Sequence, residues 1–91
     1  MTELEKYREN IDRIDKQLIN LMAERFRYSA QIGAIKKSEG LSVLQSERWD
    51  EIISSRREYA AKAGLSEKFT GEIFQHIHDE SIRIQQEIAG R

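Results

Sequence analysis

Neither cysteine nor proline occurs in this chain, and only five of its 91 residues are glycine. Without cysteine there can be no disulfide and no thiolate metal site, and the composition suits a reducing compartment. The lack of proline, together with many helix-forming residues, predicts an all-α protein. Neither sign of charge dominates: 34% of the residues are charged, yet the net charge is −1. That balance gives no electrostatic reason to expect a nucleic acid or an anionic membrane as partner. No apolar run approaches membrane-spanning length, and the opening stretch MTELEKYREN has no apolar core for a secretory signal, so the cytoplasm is the expected location. There is no glycine-rich phosphate loop and no nucleophile–base signature. Linkers, repeats and low-complexity segments are also missing, so residues 1–91 read as one domain. A chain this short buries only about 60–65% of its unfolded surface, and dimerisation would complete it.

What the chain does have is a long seam. Apolar or aromatic residues fall at Leu4, Tyr7, Ile11, Ile14, Leu18, Leu21, Tyr28, Ile32 and Ile35. The steps alternate three and four, with Arg25 at one seam position, which predicts one long helix with a packed stripe. The stretch from Leu4 to Lys36 would span roughly 50 Å, more than a globule of this size. Other helices must therefore flank it, and a second chain is expected among them.

Helix one is predicted from an N-cap at Thr2 to about Ser38, with Lys36 and Lys37 in its last turn and Gly40 as its stop. Ser46 reads as the N-cap of a shorter helix that carries Trp49, Ile52, Ile53, Arg56, Ala60 and Ala63 and ends at Gly64. Ser66 reads as the N-cap of a third, medium helix. Its stripe is Phe74, Ile77, Ser81, Ile84 and Ile88, flanked by Phe69 and Ile73, and Gly90 and Arg91 are expected to fray.

Several polar residues stand out against this frame. Arg25 on the seam reads as a snorkelling arginine, as half of a buried ion pair, or as a clamp for a ligand carboxylate. Lys36 lies 11 residues further on, back on nearly the same face and about 16 Å along, so the pair could close on one small anion. Arg8 precedes Arg25 by 17 residues, roughly 25 Å, and could join them only from an antiparallel second chain. Ser81 and Gln85 share a face of helix three with His78 and Ile82. Alone, that pair reads as a wet helix edge; inside a bundle it would be a polar patch at a ligand site. Arg48 opposes the dipole at the start of helix two, which a ligand contact would explain. His76 and His78 point about 200° apart on a helix and cannot share a metal. Cations with neutral donors suit a dianionic ligand and developing negative charge, not proton abstraction.

The chain resembles the all-helical chorismate mutases of the AroQ class over essentially its whole length. The matching pieces are YRENIDRIDKQLINLMAERFRYSAQIGAIKK, QSERW and ESIRIQQEI, with the spacing of Arg8, Asp15, Arg25 and Lys36 and the positions of Arg48, Ser81 and Gln85. The resemblance implies an intertwined homodimer of three-helix chains with paired long first helices and two sites, each taking Arg8 from the partner chain. It implies rearrangement of chorismate to prephenate, without metal or cofactor, on the route to phenylalanine and tyrosine. Arg8 and Arg25 would hold carboxylates, Lys36 and Gln85 would flank the ether oxygen, and Arg48 and Ser81 would complete the contacts. Ile32, Ile52 and Ile82 match apolar wall positions. Such domains also occur fused to, or in complex with, other aromatic-pathway enzymes.

Gln45 and Trp49 depart from the family pattern, where an aspartate and a glutamate are common, and His78 stands where an apolar residue is usual. Trp49 cannot accept a hydrogen bond, so contact with the substrate's ring hydroxyl falls to Gln45, to backbone or to water. An isochorismate pyruvate lyase and a non-catalytic sensing or docking module are the rival expectations.

Overall fold

The computed structural model describes residues 1–91 as three helices and no strands: α1 (Glu3–Glu39), α2 (Ser46–Lys62) and α3 (Glu67–Ala89). The expected all-α class, with one long, one short and one medium helix, holds. The Thr2 hydroxyl accepts from the Glu5 N–H at 3.2 Å while the Glu5 carboxylate receives the Thr2 N–H, so a reciprocal capping box starts α1. Gly40 ends it in the left-handed region at φ 68°, with its N–H on the Lys36 and Lys37 carbonyls. Gly64, at φ 82°, makes the turn after α2. The Ser66 hydroxyl accepts from the Phe69 N–H at 3.1 Å and starts α3 as expected. Gly90 caps α3, which runs to Ala89.

The start of α2 differs from expectation. Ser46 is its first helical residue, and the cap is Gln45, extended at φ −124° and making no side-chain capping bond. The connection is tied down before Ser46 is reached. Lys36 holds the Val43 carbonyl, the Ser42 hydroxyl donates to the Leu44 carbonyl, and the Gln45 amide reaches back to the Ser42 carbonyl.

α3 packs on both α1 and α2, which do not pack on each other. The result is a slab of 56 × 27 × 14 Å, little more than one helix thick. Its interior is mostly polar: Ala60 is the one buried hydrophobic residue, beside Ser29, Thr70, Ser81 and Gln85. The face that α1 turns to α3 is not the heptad seam. It runs through Phe26, Ser29, Ala30 and Gly33, whose small residues let the helices approach closely. The seam is left bare, with Tyr7 63% exposed, Leu18 52% and Tyr28 58%, and residues 1–24 are exposed throughout. No helix is long and apolar enough to cross a membrane.

Candidate active site

Where the C-terminal half of α1 faces α3, with the connection and the start of α2 across from them, a cavity of about 450 Å³ opens. That size fits a small-molecule ligand. Arg25, Lys36, Gln45, Arg48, Ser81 and Gln85 all line it, although they come from three helices and a loop. Arg8 does not; it lies in the exposed first half of α1. Ile32 and Ile82 form apolar wall, while Ile52 falls outside the lining.

Two hydrogen-bonded groups order the floor. Arg25 Nη1 donates to Ser81 Oγ at 3.3 Å, and Ser81 Oγ lies 2.9 Å from Ser29 Oγ. Lys36 Nζ donates to Gln85 Oε1 at 2.8 Å and to the Val43 carbonyl at 2.6 Å. With Gln85 Oε1 engaged by Lys36, its amide NH₂ is the end left to donate. Ser81 and Gln85 are 7% and 5% exposed, so they are interior residues and not the wet edge that their local sequence suggests. Gly33 is the reason: a Cβ there would come within 3.0 Å of Gln85 Cγ and 3.2 Å of Gln85 Cα. The missing side chain lets α3 settle against α1 and brings Gln85 beside Lys36.

The electrostatics point one way. No aspartate or glutamate lines the cavity. Burial lowers the pKa of the Arg25 guanidinium, and the charges of Arg56 and Arg48 lower it further. Burial also lowers the pKa of the Lys36 ammonium. Arg48 meets Glu51 at 3.3 Å, but both are solvent-exposed, where such a pair is weak. The cavity therefore concentrates cations without a counter-charge, which favours an anionic occupant. Trp49 stacks on His78 in the wall, with ring centroids 4.2 Å apart and planes 25° from parallel. Burial depresses the His78 pKa; Asp79 opposes this, and Arg25 and Lys36 reinforce it.

Ser29, Gly33 and the Trp49–His78 stack are the contributions that the sequence reading missed. The i, i+4 spacing of two small residues between Arg25 and Lys36 was the available signal for the first two. The stack joins residues 29 positions apart and has no local signature.

Three helices with an acid-free cationic cavity define the class: a helical protein with a cavity suited to a small anion. The chain belongs to the chorismate mutase type II family, whose model matches residues 7–86. It is 33% identical over 81 residues to the T-protein of Haemophilus influenzae, covering 89% of this chain and 22% of that protein. It is 34% identical over 84 residues to the bifunctional chorismate mutase/prephenate dehydratase of Aquifex aeolicus, covering 90% and 22%. With the 4-amino-4-deoxychorismate mutase of Streptomyces venezuelae it shares 26% over 89 residues, covering 98% and 86%. The chain thus spans about 22% of the length of the first curated relatives it matches.

Proposed function

We propose that this chain is a chorismate mutase, an isomerase that converts chorismate to prephenate in phenylalanine and tyrosine biosynthesis. The observation that carries the reading is the Lys36–Gln85 pair, 2.8 Å apart, in a cationic cavity without a carboxylate, in a chain of this family. The reaction breaks the ether C–O bond as a new C–C bond forms, with no proton transfer and no covalent intermediate. Such chemistry needs no base. It needs the compact conformer to be selected, and charge on the departing ether oxygen to be stabilised.

In this reading Arg25, with Arg8 from a second chain, holds the two substrate carboxylates. The Lys36 ammonium and the Gln85 amide donate to the ether oxygen. Ser81, Arg48 and Gln45 complete the polar contacts. The second chain belongs to the proposal: an intertwined homodimer with paired α1 helices would cover the bare seam and deliver Arg8. The composition suits a reducing compartment, and we place the activity in the cytoplasm. A fusion or complex with another aromatic-pathway enzyme would fit relatives that carry a second named activity.

The test is a spectrophotometric assay of the purified chain with chorismate and, in parallel, with isochorismate. Loss of chorismate with appearance of prephenate is the expected result. Pyruvate and salicylate from isochorismate, without mutase turnover, would move the assignment to a lyase. Silence on both in a folded protein would favour a sensing or docking module.

A further inference from the structure

We propose that His78, seated face to face on Trp49 in the cavity wall, is a specificity-determining residue that accepts the hydrogen bond of the substrate's ring hydroxyl. The inference rests on the reading of the site given above and names the group by which that site recognises its substrate's one neutral polar substituent.

A hydroxyl carried into a desolvated site needs an acceptor, because an unpaired one costs binding. A carboxylate would serve, but none lines this cavity. Most other acceptors are taken. The Val43 carbonyl and Gln85 Oε1 both receive Lys36. The Ser29 and Ser81 hydroxyls bond each other, and Ser81 also receives Arg25. Tyr28 is 58% exposed, and Gln45, which spends only its amide NH₂ on the Ser42 carbonyl and keeps Oε1 free, is exposed to solvent. His78 is half-buried in the lining, and its ring nitrogens make no hydrogen bond within the chain.

His78 lines the same cavity as the Lys36–Gln85 pair. The ether oxygen and the hydroxyl sit on adjacent ring carbons, so the acceptor must lie near the Lys36–Gln85 pair. His78 shares a face of α3 with Ser81 and Gln85, at i, i+3 and i+7. It lies within the fields of Lys36 and Arg25, which with burial keep the imidazole neutral against the pull of Asp79. A neutral imidazole keeps one nitrogen as an acceptor. Stacking on the Trp49 ring holds the imidazole near parallel to the indole, and the acceptor lone pair lies in the imidazole plane. Trp49 cannot accept a hydrogen bond itself; it positions the group that does.

The experiment compares wild type, His78→Phe and His78→Gln on chorismate and on its analogue lacking the ring hydroxyl. Helical content by circular dichroism is checked for each. His78→Phe keeps the stack and deletes the acceptor; His78→Gln keeps an acceptor. We expect His78→Phe to lower kcat/KM for chorismate about tenfold, the worth of one such hydrogen bond, and to leave the deoxy analogue unchanged. His78→Gln should restore part of the loss. An equal fall on both substrates would reduce His78 to packing and overturn the proposal. Unchanged turnover of chorismate would do the same and return the hydroxyl to Gln45 or water. A wild-type chain that turned over neither substrate would overturn the function itself, and this inference with it.

Discussion

Arg25 is half-buried beside Arg48 and Arg56, and its guanidinium is held by one serine hydroxyl. A side chain in that setting gains most from an anion, and its removal should cost little in folding. Arg25→Ala and Lys36→Ala should each lower kcat about 10²–10³-fold, as for one charge-assisted donor to the transition state, while the helical signal stays. Full activity in either variant would remove that residue from the site. The depressed pKa of Lys36 sets a second expectation. In the proposed reaction only its protonated form would stabilise the ether oxygen, so kcat/KM should fall on the alkaline side at a pH below the ordinary lysine range. The limb should be absent from the residual activity of Lys36→Met. Arg25 announced itself in the sequence because it interrupts an apolar seam. Ser81 and Gln85 also stand out on their helix face, but their burial is not legible there, because it comes from the small residues Ser29 and Gly33 of α1, a fact of another helix.

Among the helices, the α1–α3 contact depends on Gly33. Mid-helix glycine costs about 1 kcal/mol relative to alanine, so Gly33→Ala would stabilise an isolated α1. In the folded chain the new Cβ meets Gln85 Cα at 3.2 Å, and backbone cannot swing aside. Overpacking of this kind costs about 1–3 kcal/mol, and the shift would carry Gln85 away from Lys36. Gly33→Ala should therefore lower kcat with little gain or a net loss in Tm. Gly71→Ala is the control. There the added Cβ meets only the exposed Arg57 side chain, at 3.0 Å from its Nε, which can move, so Tm should rise and activity persist. Paired thermal melts and kinetics check both, and equal behaviour of the two variants would contradict the packing role given to Gly33. The boundaries of the three helices followed from their caps and glycines. The α2 start was missed by one residue, because the Lys36–Val43 bond that shapes the connection joins residues with no local pattern between them.

The whole chain is a slab 14 Å thick whose apolar seam faces outward over the first half of α1. Heptad periodicity made that seam readable, but periodicity cannot say which partner covers it; here α3 takes a different face of α1. The proposed dimer has a consequence that no monomer shares. If each site takes Lys36 from one chain and Arg8 from the other, Arg8→Ala and Lys36→Ala damage the same site from opposite chains. Each homodimer alone should be nearly inactive. In a mixed dimer one site carries both lesions and the other carries neither. Co-refolding the two variants in equal amounts forms mixed dimers in about half of the molecules, so about a quarter of the wild-type site activity should return. The measurement is kcat per chain before and after unfolding and refolding the mixture, with each variant refolded alone as control. A mixture that stays inactive, although light scattering shows dimers, would mean that Arg8 serves its own chain; an active Arg8→Ala homodimer would mean that it serves no site.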